Sequence, residues 1–159
     1  MSIFPTRILL ATDGSEEAAL AAKTAVDIAQ KTGSELHVVH GRFMLPWTDY
    51  SATEISTSST VDVEEIGKGI RRWLEEQVER IEAEGGKVAQ AHLRLGRPAE
   101  GIITIAEEIV AVAEEIGAGL IVTGSRGLGG IRRALMGSVS ALVVSHAHCP
   151  VLIVRNEKR

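Results

Sequence analysis

Short apolar runs alternate along this chain with longer stretches in which apolar positions return every three or four residues. Residues 7–12 (RILLAT) form a nearly continuous apolar run, the pattern of a strand covered on both faces. Asp13-Gly14-Ser15-Glu16-Glu17 follows, a turn with helix-start chemistry and acidic residues in the first helical turn. Over residues 18–30, Ala18, Ala21, Ala22, Ala25, Val26 and Ala29 recur at helical spacing, and Gly33 is placed to end that helix. Its small alanines suit close packing on a sheet.

Residues 35–40 (ELHVVH) read as a second strand. A segment of about 42–61, rich in Ser and Thr and holding Pro46 and Trp47, reads as a long mobile connection. Val63, Ile66, Ile70, Trp73 or Leu74, Val78 and Ile81 mark a second amphipathic helix, stopped by Gly85-Gly86. Residues 88–95 (VAQAHLRL) alternate apolar and polar, which predicts a strand with an exposed face or an edge position. Gly96-Arg97-Pro98 turns the chain, and Pro98 suits the first position of a third helix reaching about Gly117. That helix repeats itself: Ala106-Glu107-Glu108-Ile109 returns as Ala113-Glu114-Glu115-Ile116, a period near two helical turns that extends one face. Residues 120–123 make strand four, residues 138 to about 146 helix four, and residues 150–155 (PVLIVR) a last strand.

Strands and helices in strict alternation predict a parallel sheet with helices on both faces, because parallel crossovers need a covering element. Such sheets bind ligands at the carboxyl ends of their strands, where the strand order reverses. Asp13 follows strand one and a glycine stretch follows strand four. If those strands are neighbours, both motifs open into one crevice.

Composition narrows the class. The 159 residues make one domain, 1–159, of 17.0 kDa, long enough to bury a core. Only 3% of residues are aromatic, so aliphatic side chains must fill the interior. A net charge of −4 and a pI near 5.7 argue against a nucleic-acid partner. No run approaches the ~20 apolar residues of a membrane span. The amino terminus lacks signal-peptide character, and the single cysteine, Cys149, points to a reducing cytoplasm.

The candidate chemistry lies in residues 121–140, IVTGSRGLGGIRRALMGSVS. Strand, glycine-rich loop and helix start come in the order a phosphate site needs, since glycine admits a close anion and a helix N-terminus offers unpaired N–H groups. Arg126, Arg132 and Arg133 add positive charge. A P-loop is excluded, for there is no G-x-x-x-x-G-K-[ST]. The dinucleotide fingerprint is excluded too, because the first turn reads Thr12-Asp13-Gly14-Ser15. What remains is Gly124-x2-Gly127-x9-Gly137-Ser138, which on glycine content alone could equally be a turn-rich loop. Asp13 and Ser138 each carry a second reading as helix caps. His146, His148 and Cys149 invite a metal reading, but zinc sites generally take four ligands and no second cluster accompanies them. Donors abound near the glycines, yet no carboxylate or histidine is evidently placed to activate water, so rapid catalysis is not expected.

The chain resembles the universal stress protein family over nearly its whole length, through RILLATDGSE, ELHVVH, LRLGRPAEGI, AGLIVTGSRGLGG and MGSVSALVVSHAHCPVLIVR in order. Its glycine spacing matches that family's nucleotide signature, G-x2-G-x9-G-[ST]. The resemblance implies a doubly wound five-stranded parallel α/β sheet, order 3-2-1-4-5, of the Rossmann-like adenine nucleotide α-hydrolase-like type. It implies ATP, with Mg²⁺, lying across strands one and four. Asp13 would meet the adenosine part, with Thr12, Val39 and Thr123 lining it. Gly124, Gly127, Gly137, Ser138, Val139 and Ser140 would surround the phosphates and ribose, and of the three arginines read from the loop itself Arg126 is the candidate to join them. A homodimer through residues Val151 to Val154, an unidentified protein partner and at most slow ATP hydrolysis are implied too. Two alternatives stand beside this: a nucleotide-independent dimeric interaction protein of the same fold, and an adenylyl-transferring enzyme, for which the first strand carries no motif. Departures from the family are Gly41, read as a missing wall of the adenine pocket, Gly119, and a longer third helix.

Overall fold

The computed structural model describes residues 2–43, 63–96, 102–125 and 137–156. Within them run β1 (Arg7–Ala11), α1 (Glu16–Thr32), β2 (Glu35–Phe43), α2 (Val63–Ala83), β3 (Val88–Gly96), α3 (Ile102–Ile116), β4 (Ala118–Gly124), α4 (Ser138–His146) and β5 (Val151–Val154). The strands form one parallel sheet in the order β3-β2-β1-β4-β5, as the family resemblance implies. The connection at about 42–61, with Trp47, lies almost wholly outside the described residues, as does the turn holding Pro98.

β1 sits at the centre because it is apolar on both sides. Ile8 and Leu10 point into a layer built with Ala21, Ala25, Val26, Leu74 and Ile81 from α1 and α2. Leu9 and Ala11 point the other way, into a layer with Ile109, Val112 and Ala113 of α3 and Val143 of α4. Ile8, Leu9 and Leu10 are wholly inaccessible, so each contributes roughly 1.5–3 kcal/mol of burial. The alternating run at residues 88–95 becomes the edge strand β3, with Ala89, Gln90 and Ala91 exposed.

Local chemistry places the helix ends. Ser15 caps α1 by accepting from the Ala18 amide at 3.1 Å. Gly33 closes the helix in the left-handed conformation at φ 69°, its N–H returning to the Ala29 carbonyl. α1 therefore starts two residues earlier than its apolar spacing predicts, since the cap and not the first alanine sets the start. β2 likewise outruns its predicted end at residue 40, because residues 41–43 keep pairing with residues 94–96 of β3. Among the described residues no helix is long and apolar enough to cross a membrane.

Candidate functional site

Register aligns the carboxyl ends of the three central strands. Ala11 of β1 lies between Val39 of β2 and Thr123 of β4, so the residues after Ala11 and Thr123 leave the sheet side by side. The Thr12 amide prolongs the ladder with a 3.0 Å bond to the Val39 carbonyl. The Thr12 carbonyl is met by His40 Nδ1 at 2.7 Å. A carbonyl can only accept, so the imidazole carries its proton on Nδ1. Thr12 and Thr123 are buried, and Val39 is wholly inaccessible in the layer beneath α3. The Val39 side chain therefore faces that core, and its carbonyl faces Thr12.

Asp13 opens the β1–α1 turn. Its Oδ1 accepts from the Ser15 amide at 2.9 Å, closing a local turn, while the cap of α1 is Ser15 and not Asp13 as the capping reading allowed. Gly14 has φ +80°, and a Cβ there would stand 2.7 Å from Cζ2 of Trp73. The Trp73 indole, on α2, thus covers the turn, and it also packs against His40 with ring centroids 4.3 Å apart.

Across the crevice, Gly124 is the last residue of β4 and not a loop glycine. A Cβ on it would lie 3.0 Å from the carbonyl carbon of Glu17 and 3.1 Å from the Ala18 amide. Glycine is thus required here by the approach of α1 to the sheet, a role distinct from the expected approach of an anion. Ser125, fully buried, donates its amide to the Val154 carbonyl at 2.9 Å and its hydroxyl to the Glu17 carboxylate. Its carbonyl accepts from the Gly137 amide. Ser140 Oγ closes the arrangement on the Gly124 carbonyl at 2.7 Å.

Gly137 is the N-cap of α4 and offers no side-chain cap. Ser138 is therefore the first helical residue and exposed, not the cap its residue type allowed. The first bond of the helical ladder runs from the Ala141 amide to the Gly137 carbonyl at 3.0 Å, so the amides of Ser138, Val139 and Ser140 precede the ladder and point out of the helix end. Arg126, Gly127, Arg132 and Arg133 lie outside the described residues. The structure thus brings together Thr12, Asp13, Thr123, Gly124, Gly137, Ser138, Val139 and Ser140 at one end of the sheet. Glu17 and Ser125 join them unanticipated; their contact spans 108 positions, and only the acidic first turn of α1 hinted at it.

Gly41 corrects the expectation of a missing wall. A Cβ there would stand 2.7 Å from Ile105 Cγ2, so α3 fills the space that a branched residue would take. Gly119 is similarly backed by Thr6. The histidines near the carboxyl terminus take separate partners: His146 Nδ1 bonds the Leu142 carbonyl at 2.8 Å, and His148 pairs with Glu114 at 2.9 Å. No group of three or more His, Cys, Asp or Glu able to hold a metal occurs among the described residues.

The universal stress protein family profile matches residues 5–155. A universal stress protein of Thermus aquaticus is 39% identical over 155 residues, covering 93% of this chain and 97% of the relative. A universal stress protein solved in complex with cAMP is 26% identical, with a TM-score of 0.64 and coverage of 96% of this chain and 98% of that one. The Archaeoglobus fulgidus universal stress protein solved in complex with dAMP is 25% identical, with a TM-score of 0.60 and coverage of 96% and 99%. With its sequence matched almost end to end and its strand order as expected, this chain belongs to the universal stress protein family.

Proposed function

We propose that this chain binds an adenine nucleotide, ATP in particular, across the carboxyl ends of β1 and β4. Occupancy then biases conformation or partner binding in a stress-response role. The observation that supports this most is the register of Ala11 with Thr123, by which the Asp13 turn leaves the sheet at the same end as Ser125, whose carbonyl holds the Gly137 amide, where the strand order reverses. Two relatives solved with cAMP and dAMP support the adenine part. In this reading Asp13 meets the ribose, main-chain groups of Thr12, Val39 and Thr123 line the adenosine, and the amides of Ser138 to Ser140 take phosphate oxygens.

Mg²⁺ would arrive on the phosphates, since the described carboxylates form no cage for it. It would there neutralise phosphate charge. Hydrolysis is at most slow in this reading. Phosphoryl transfer needs a group that orients water, whereas Asp13 Oδ1 holds the Ser15 amide and Glu17 holds Ser125. The proposed setting is the cytoplasm, with a homodimer through Val151 to Val154 and an unidentified protein partner.

The test is to denature the purified chain, identify any nucleotide released, and compare it with Ser138→Asp. That substitution puts a negative charge on an exposed first-turn position, where it should hold or raise helix stability by ~0.3–1 kcal/mol while repelling phosphate. We expect nucleotide from the parent, little from the variant, and, for the two proteins stripped of nucleotide, a melt no lower in the variant than in the parent. Equal recovery from both would refute contact at α4. Gly124→Val is not a clean control, because it strikes α1 first. A nucleotide-independent interaction protein draws support from the packing role of Gly124 and the use of the Gly137 amide by Ser125. A nucleotide-free preparation that fails to bind any added adenine nucleotide would favour it.

A further inference from the structure

We infer that His37 and His92 form an acid latch: the buried pair keeps the β3 edge shut against α3 at neutral pH, and full protonation of the pair opens that edge while the centre of the sheet stays closed.

His37 lies two residues before Val39, and His92 lies beside Val39 in the β2–β3 ladder, so both imidazoles share the sheet face that α3 covers. They are only 6% and 8% exposed. His37 Nδ1 and His92 Nε2 are 3.5 Å apart, with the rings stacked. One proton fits between two such nitrogens, one donating and the other accepting. On its far side His37 Nε2 is buried with no hydrogen-bond partner among the described residues, and Glu35 Oε1 stands 3.5 Å away. The pair therefore has a place for one added proton, opposite a carboxylate. A second would turn two N–H groups on each other.

The charges around the pair do not relieve that second proton. Glu35 of β2 is shared with Arg7 of β1 at 3.3 Å. Glu115 of α3 pairs at 3.0 Å with Arg94 of β3, which also approaches Glu108 of α3 at 3.8 Å. Each carboxylate is thus already matched by a guanidinium and stands partly in water, where its attraction is screened. Burial, His37 and Arg94 together hold His92 below its usual 6.5, against Glu115. The fold is also weakest at this point. Between Leu36 and His37 the ladder slips by one residue, with Val88 and then Gln90 as partners, so Ala89 is a bulge in an exposed edge strand. β1 and β4 are each paired on both sides, whereas β3 is tied on one side and can open below the global unfolding free energy. The rival reading is a passive polar filling, in a chain that acid unfolds all at once.

The experiment is hydrogen exchange of the full chain at pH 7.0 and pH 5.0, read as protection factors corrected for the pH dependence of intrinsic exchange, for the parent, His92→Gln and His37→Gln. Opening returns His92 to its ordinary value, so each pH unit below 6.5 favours the open edge by up to tenfold. The parent should lose roughly 10–30-fold protection over residues 88–93, and less than ~3-fold over the central strands at 7–11 and 118–124. Either variant should abolish most of the β3 loss, because glutamine keeps a polar group in place but takes no proton. Equal losses in β3 and the central strands overturn the latch in favour of global unfolding. A β3 loss undiminished in both variants overturns it too, as does a parent whose β3 protection is the same at both pH values. The parent alone gives a second check, by carbon-13 titration of its five histidine rings: all five midpoints at or above 6.5 would overturn the latch with no variant made.

Discussion

At the scale of single residues, several glycines act through what they leave out. Gly41 makes room for Ile105 and Gly124 for the first turn of α1. Gly41→Ala would force its methyl into Ile105, which is itself buried, and overpacking of this kind costs about 1–3 kcal/mol. Ile105→Ala alone should cost about 2–5 kcal/mol by opening a cavity. The double variant should be less damaged than the sum of the singles, with a coupling of about 0.5–3 kcal/mol. Denaturant unfolding of the four proteins measures this, and strictly additive losses would show that the two residues do not share the space. Such pairs were invisible in the sequence. Gly41 read there as a gap in a pocket wall, because nothing in spacing says which helix side chain will enter from another layer.

Among the elements, β2, β3 and α3 enclose a polar seam. His37 Nδ1 and His92 Nε2 are 3.5 Å apart, with their rings stacked at 5.7 Å. Glu35 Oε1 stands 3.5 Å from His37 Nε2 without hydrogen-bond geometry, leaving that nitrogen with no hydrogen-bond partner among the described residues. Arg94, next along the face, pairs with Glu115 at 3.0 Å and approaches Glu108 at 3.8 Å. Burial pushes the His92 pKa below its usual 6.5, His37 and Arg94 push the same way, and Glu115 opposes them. Below pH 6.5 the unfolded chain therefore binds protons that the folded chain refuses. This contribution is intact above that pH and is lost as the pH falls toward the depressed folded value. One proton accounts for at most about 1.4 kcal/mol per pH unit. Urea unfolding at pH 7.5 and pH 5.0 should show a fall that His92→Gln diminishes; an undiminished fall would place the proton uptake elsewhere. The elements themselves were largely legible. Ser15 and Gly33 announce α1, and the alternation at residues 88–95 announces an edge strand. The contacts inside the seam were not, because faces of different strands meet only after the sheet is ordered.

For the whole molecule, the apolar pattern was enough to read the parallel sheet, and the resemblance carried by the glycine spacing was enough to read the family. The link between Glu17 and Ser125 could not be read that way, since it depends on how α1 is tilted over β4. Assembly is argued from the opposite edge. β5 is only four residues long, and Val151 to Val154 are all half-buried in the single chain. An apolar edge left partly open is a pairing hazard unless something covers it, and a second copy of the same strand is the proposed cover. Leu152→Pro removes a donor and the strand geometry at its centre. Light scattering should then report monomer or aggregate for the variant against the dimer proposed for the parent, and a dimer in both would move the interface elsewhere.

Gly14 and Trp73 impose an order on change. The positive φ of Gly14 would still admit asparagine or aspartate, but the indole stands where their Cβ must go. A lineage keeping this turn is expected to shrink position 73 before it can alter position 14, so the two substitutions are contingent and run in one direction only.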